Sequence, residues 1–443
     1  MLRRLFIVLT GLLVFAILFV VPSAAQQSTK TFLTIDEAIS YAMEHNYDIL
    51  IAREDLNKAD QQVREAKSGA FPQVSFNNLY TRTFKKQAFF MDFDGEPSKI
   101  EIGRSNVIQT SVSVNQLLYS GGQVGAAVQI AKLYSGSFVH SLEQTERNVA
   151  LQVRQSFLAI LLTQEMLKIA KSTLTLAEEH AAQVEILFNR GAASEYDMLR
   201  AEVQAANARP LMLSLENELT LRKNVLKNSI GMPLQQEIDL QGELIPHITD
   251  VQNSSQIAGE AYSHRGDYKN LSLIRDAMEY RIKIERGSSL PMVSFGYNYL
   301  FNGQSNTFRF GTKNRNNSQN AGFAVSFPIF DGFKSAARVQ QAKIDVQKMD
   351  IQLTKLREAI AVQTSQAWNM MSDARKRMEA LEKTVEQAEK AYSIAQVRYN
   401  SGQGTQLELF DAQVALETTK FNRLQSVFDY ESARALWENA VGK

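Results

Sequence analysis

Phe188-Asn189-Arg190-Gly191-Ala192-Ala193-Ser194-Glu195-Tyr196-Asp197-Met198-Leu199-Arg200-Ala201 aligns without a gap with Tyr399-Asn400-Ser401-Gly402-Gln403-Gly404-Thr405-Gln406-Leu407-Glu408-Leu409-Phe410-Asp411-Ala412, at the offset of 211 that separates Gly191 from Gly402. Each stretch places a helix stop beside a helix start. A glycine in the left-handed conformation closes one helix. Three residues later Ser194 or Thr405 caps the next, with an acid in its first turn. Both stretches predict tight tips joining two long antiparallel helices.

The same offset extends outward on both sides. Tyr119-Ser120-Gly121 matches Phe330-Asp331-Gly332, Val128-Gln129 matches Val339-Gln340, and Asn228 and Gly231 match Asn439 and Gly442. Two packed rods of equal length require this strict spacing. Within them Val346, Met349, Leu353, Leu356 and Ile360 step by three and four, as do Leu162, Met166, Ile169, Thr173 and Leu176. That is coiled-coil spacing. Gly121 to Gly191 is 70 residues, or about 105 Å of helix. Pro210 lies inside a return helix, at the position of Phe421, and predicts a local kink.

Before each rod the period changes. Asp36 to Lys67 reads as a helix capped by Thr34 with Glu37 in a capping box. Its counterpart, about 255–286, is related by an offset of 219 (Ala42 to Ala261, His45 to His264). After Gly69-Ala70-Phe71-Pro72, Val74, Phe76, Tyr80 and Phe84 alternate with polar residues, imperfectly at Asn78 and Leu79. This alternation predicts a strand. A polar loop around Asp92, Asp94, Gly95, Glu96 and Pro97 leads to a second strand through Ile108, Thr110, Val112, Val114, Gln116 and Leu118. The second half repeats the pattern with Val293, Phe295, Tyr297, Tyr299 and Phe301, a loop over 302–320, and a return strand through Phe323, Val325, Phe327 and Ile329. Strands of about ten residues suit a tilted bilayer crossing. Phe71, Tyr80, Phe84, Tyr297, Tyr299 and Phe301 are candidates for a membrane-interface girdle or lipid-facing band; the alternative is the core of a soluble sheet. Gly121, Gly122 and Gly332 mark the transitions from strand to helix.

Arg3 and Arg4, the apolar run from Leu5 to Val21, and Ser23-Ala24-Ala25 read as an export leader cleaved after Ala25, with a membrane anchor as the alternative. The expected organisation is a signal peptide (1–25), a first repeat (26–231), a connector midway along the stalk (232–254) and a second repeat (255–443). The absence of cysteine excludes disulfides and thiolate metal sites. Without Arg3 and Arg4, 46 of the 48 basic residues remain against 47 acids, a balance that argues against nucleic-acid binding. The five histidines show no metal-ligand spacing, and the glycine pairs lack the flanks of a phosphate loop. Neither an enzyme nor a cofactor is expected.

Four amphipathic strands cannot close a membrane barrel, and an open edge in lipid leaves peptide groups unpaired. The expected fold is therefore mainly α with a small β part. Long antiparallel helical hairpins would form an α-barrel, and four strands per chain would contribute to a transmembrane β-barrel shared by several copies. Three copies would supply twelve strands, but closure alone does not set the number.

This arrangement resembles the outer-membrane efflux protein family, the TolC-like channels. The resemblance spans the mature chain and is most specific at Tyr119-Ser120-Gly121-Gly122, at Phe330-Asp331-Gly332 and at the two tips. It implies a homotrimer in the outer membrane with its helical stalk in the periplasm, serving as the exit duct of a tripartite efflux or type I secretion system. The implied partners are a periplasmic adaptor, an inner-membrane transporter acting through it, and outer-membrane lipid. The resemblance also implies acidic constriction rings at Glu408 and Asp411, with Glu where the first is commonly Asp; the alternative is ordinary solvated acids. Gly191, Ala192, Ser194, Gly402, Gln403 and Thr405 would meet the adaptor, beside their turn and cap chemistry. An exported coiled-coil protein without a pore would explain the heptads but not the strands.

Overall fold

The computed structural model describes residues 31–93, 96–248, 261–311 and 314–442. The expected leader, its cleavage site and the end of the connector lie outside the described residues.

In chain order the elements are β1 (Thr31–Leu33), α1 (Ile35–His45), α2 (Tyr47–Ser68), β2 (Gln73–Arg82), β3 (Gln87–Phe93), β4 (Glu96–Ile102), β5 (Asn106–Ser120), α3 (Gln123–Asn189), α4 (Glu195–Ile230), β6 (Ile238–Leu240), α5 (Gly266–Gly287), β7 (Met292–Ser305), β8 (Arg315–Ser326), α6 (Lys334–Asn400) and α7 (Gln406–Ala440). The long rods α3 and α6 are 67 residues each, about 100 Å at the helical rise. Their return helices pack alongside. The ion pair Arg209–Glu178 (2.8 Å) recurs 211 residues later as Lys420–Glu389 (3.0 Å). Helix α4 runs through Pro210 without interruption.

Thr34 and Glu37 form the expected capping box. The first helix is nevertheless two helices, because Asn46 breaks it. The Asn46 side chain accepts from the amides of Asp48 and Ile49, which starts α2, and its Nδ2 donates 2.7 Å to the carbonyl of Ser229. A local capping bond thus outcompetes helix continuation.

The main sheet has the order β2-β5-β7-β8, antiparallel throughout. Its register obeys both sequence offsets. Val74 faces Val114, and moving the two by 219 and 211 gives Val293 and Val325, which also face each other. Cross-strand partners share a face. One face carries Val74, Phe76, Val112, Val114, Tyr297, Tyr299, Phe323 and Val325; the other carries Ser75, Asn77, Ser111, Ser113, Asn298 and Asn320. Every residue of the edge strands β2 and β8 is exposed.

Two sequence expectations need correction here. Residues expected as a polar loop build the β3–β4 hairpin, with Asp92 opposite Pro97. Cross-strand pairing outweighs the low strand preference of those residues. The return strand β8 begins at Arg315, inside the expected loop, and ends at Ser326, before Phe327 and Ile329. Its asparagines pair in register with β7, as Asn298 with Asn320.

The largest core lies midway along the first hairpin, where Ala38, Ala42, Ile49, Val153, Phe157, Ile160, Leu226, Ile230 and Ile238 pack together. The connector is not wholly irregular: β6 pairs in parallel with β1, and Tyr430 donates its hydroxyl to the His247 carbonyl. Gly231 ends α4 at φ 77°, and a Cβ there would meet the His45 carbonyl oxygen at 2.1 Å. Gly191, at φ 72°, has nothing within 4 Å of its Cβ position. Gly231→Ala should therefore cost about 3 kcal/mol or more, through strain plus a backbone collision. Gly191→Ala should cost only about 1 kcal/mol of left-handed strain. Denaturant midpoints by circular dichroism will show whether the costs rank in this order.

Candidate functional site at the hairpin tips and the sheet

Both tips close with the same bonds. At the first, Gly191 N donates to Phe188 O and Ala192 N to Leu187 O, each at 2.8 Å. At the second, Gly402 N donates to Tyr399 O (3.0 Å) and Gln403 N to Arg398 O (2.9 Å). This pairing is the Schellman motif, and it needs the left-handed residue that Gly191 and Gly402 supply at φ 72° and 75°. Ser194 Oγ accepts from Asp197 N at 3.1 Å, and Thr405 Oγ1 accepts from Glu408 N at 3.2 Å. Ala192, Ser194, Gln403 and the two glycines lie exposed at these ends, with Thr405 between them and α7.

The tips differ in the residues that follow. Asp197 turns back on its cap, accepting from Ser194 Oγ at 2.6 Å. Its counterpart Glu408 instead faces Arg398 Nη2 at 3.6 Å, both about half exposed. Asp411 is exposed and, among the described residues, makes no hydrogen bond or ion pair. The matching position in the first hairpin is Arg200, whose guanidinium sits 5.8 Å from the Phe410 ring centre. Glu408 and Asp411 are three apart on α7 and share a face. Their charge is therefore uneven: Glu408 is partly balanced, and Asp411 is not. Sequence reading passed over Arg398 as the partner of Glu408, and it passed over His180, Tyr399, Gln406 and Phe410, which cluster beside the second tip. The offset held a clue, because it sets Arg200 opposite Asp411.

At the strand-to-helix transitions Gly121, Gly122 and Gly332 have φ of 62°, 81° and 67°. Gly121 and Gly287 touch closely, each leaving no room for a Cβ beside the other's carbonyl. Gly332 meets nothing within 4 Å. Phe333 takes the place of Gly122 and carries φ 65°, an uncommon strain for a bulky residue. Its ring meets Phe330 edge-on at 5.5 Å, and both are about three-quarters exposed.

Of the girdle candidates, Phe71 and Phe84 are exposed, and the Arg82 guanidinium lies over the Phe84 ring. Tyr80 donates to Asn106 Oδ1 at 2.8 Å, and Tyr297 to Gln319 Oε1 at 3.3 Å. Tyr299 and Phe301 stand on the same face as Tyr297. Among the described residues, no group of three or more His, Cys, Asp or Glu could hold a metal ion, and no helix is long and apolar enough to cross a membrane.

The profile of the outer membrane efflux protein family matches residues 38–232 and 258–441. The chain belongs to the outer membrane efflux protein family. It is 20% identical over 415 residues to the outer membrane efflux protein BepC of Brucella suis, covering 93% of this chain and 85% of that one. It is 23% identical over 387 residues to the cobalt-zinc-cadmium resistance protein CzcC of Cupriavidus metallidurans, covering 87% and 84%. The fold matches CusC with a TM-score of 0.75 at 16% identity, covering 92% of each chain. It matches the Campylobacter jejuni CmeC outer membrane channel with a TM-score of 0.76 at 16% identity, covering 92% and 85%. This efflux protein is thus a mainly helical, TolC-like outer-membrane channel protein with its stalk in the periplasm.

If the acid pair constricts the channel, Asp411→Ala should raise single-channel conductance in planar bilayers about twofold or more and relieve block by divalent cations. Glu408→Gln should change it less, because Arg398 already partly balances that charge. Equal conductance in native protein and Asp411→Ala would remove Asp411 from the constriction.

Proposed function

We propose that three copies of this chain close a twelve-stranded β-barrel in the outer membrane and a twelve-rod α-barrel in the periplasm. The duct carries cargo from a periplasmic adaptor and an inner-membrane pump to the exterior. The observation that carries this reading is the sheet, apolar on one face and polar on the other, with two unpaired edges. In lipid, each unpaired peptide group costs several kcal/mol, so the edges must meet those of further copies.

The two structural repeats supply the register of that meeting. Within the chain Ser113 faces Asn298. Shifting the first by 211 and the second back by 219 sets Ala324 against Leu79 of the next copy. The same shift sets Ile351 beside Tyr47 of the next copy, as His140 lies beside Gly266, with the wider spacing that a tyrosine Cβ needs. Those two side chains are 68% and 64% exposed in one chain, large apolar groups that this contact would cover. The Gln123–Ile284 contact becomes Lys334 beside Glu65, a pair of opposite charge. Gly332, which meets nothing in one chain, would face Ser68 of the next copy, the counterpart of the Gly287 that Gly121 meets.

The exposed tip residues Gly191, Ala192, Ser194, Gly402 and Gln403, with Thr405, would receive the adaptor, and Glu408 and Asp411 would form carboxylate rings at the closed end. Crowded carboxylates favour cations and resist close approach, which suits a constriction that opens on demand. CzcC is named for cobalt, zinc and cadmium resistance; cations of that kind are compatible with such rings, as is any cargo for which the adaptor opens them.

The chain contains no cysteine, so an introduced pair reports without background. Leu79→Cys with Ala324→Cys should give a covalent ladder up to three copies on mild oxidation, while either single variant gives none. The absence of a ladder from a pore-forming double variant would overturn the register, and a monomeric chain without pores would overturn the channel. Inserting two residues near Val346 lengthens one rod only and should abolish assembly, read as loss of the heat-resistant oligomer; normal oligomers would contradict paired rods of equal length.

A further inference from the structure

Beside the second tip, one cluster ties the two hairpins of a chain together. His180 of α3 meets the rings of Tyr399 and Phe410 edge-on, with centres at 5.4 and 5.2 Å. Its Nε2 lies 3.2 Å from Nε2 of Gln406, which also donates 3.4 Å to the Asp197 carbonyl. Gln406 is 7% exposed, and its Oε1 is buried without a partner. The Asp197 carbonyl can only accept, so the Gln406 amide nitrogen is its donor and the imidazole Nε2 must also accept. That holds only for a neutral histidine protonated on Nδ1.

We propose that His180 is the positioning residue that holds the two hairpins together beside Glu408 and Asp411, and that its protonation releases them. A proton on Nε2 would set donor against donor. Turning the amide over would satisfy the imidazolium but press Gln406 Oε1 against the Asp197 carbonyl. Either outcome leaves buried polar groups unpaired, and separation of the hairpins lets water satisfy them. The proposal rests on the channel reading and supplies its tip with a control.

The charged groups around the imidazole do not stabilise its cation through a hydrogen bond. From α4, Asp197 is engaged with Ser194, and Arg200 lies over Phe410. From α6, Tyr399 presents its ring, and Arg398 turns to Glu408 of α7. Asp411, also on α7, is exposed. On α3 itself Glu178 pairs with Arg209, and Glu179 is exposed. Burial holds the His180 pKa below its ordinary value. The sign follows: a proton binds more weakly to the closed cluster than to a solvated histidine, so the closed form is favoured at neutral pH. That preference is lost as pH falls through the ordinary histidine range and below it.

Two readouts on the full-length protein test this. Open probability in planar bilayers should rise at least about threefold between about pH 7.5 and about pH 5.5. His180→Gln, which can still accept from Gln406 but cannot titrate, should abolish the rise, and His180→Arg should be open at both pH values. A single cysteine replacing buried Leu409 (8% exposed) reports without ion flow. Its labelling rate, normalised to unfolded chain at the same pH, should increase in acid with His180 and not with His180→Gln. Acid-dependent labelling without any current would support the latch and remove the channel reading. Currents or labelling whose pH dependence survives His180→Gln, in variants that assemble normally, would overturn the latch.

Discussion

Strands β2 and β8 each end the sheet with a row of peptide groups that no other strand among the described residues pairs. In water such an edge is an aggregation hazard, and in hydrocarbon it is not tolerated. The sheet has an apolar face suited to lipid and a hydroxyl- and amide-rich face suited to a water-filled lumen. The proposed shared closure would answer both needs and would set much of the remaining structure. It calls for matched strand lengths, a common offset for the rods that follow, and junctions that fit any neighbour in the ring.

The junctions show how closely that fit is drawn. Gly121 and Gly287 meet backbone to backbone inside the chain, while the corresponding Gly332 is bare. Ile351 and Tyr47 are large and exposed at positions whose counterparts, His140 and Gly266, pack against each other. A single copy thus leaves uncovered the surfaces whose equivalents it buries elsewhere. The proposed ring follows from that imbalance together with the open edges.

Against this near-symmetry, the tips are where the halves part company. Their turns are built alike, yet Asp197 and Arg200 occupy the first where Glu408 and Asp411 occupy the second. The first hairpin carries an acid turned to its own cap and a base turned to Phe410 of the second. The other carries two acids, of which, among the described residues, only Glu408 is in an ion pair. In the proposed ring this would place like charge on alternate hairpins at the tips while keeping the rods equivalent. The His180–Gln406 contact joins the unlike halves next to that charge, and its histidine has no counterpart in the second hairpin, where Ala391 stands.

Much of the fold was legible in the chain itself. Helix period, strand alternation and caps are local, so the rods, the four strands, the Thr34 box and both tip turns could be read from spacing. The constant offsets of 211 and 219 carried even the sheet register, because a one-residue slip would turn every side chain to the wrong face. Other features depended on distant partners. Asn46 breaks its helix while bonded to Ser229, the β3–β4 hairpin and the start of β8 form because strands pair there, and Phe333 holds a left-handed backbone where its equivalent is glycine. The cluster of His180, Tyr399, Gln406 and Phe410 draws on three helices far apart in sequence. The amino-acid order determined which segments are helix, strand and turn, since those choices rest on neighbouring residues. Which side chains meet at the tip was decided only by the packing of one hairpin against the other, because a contact energy depends on distance in space and not along the chain.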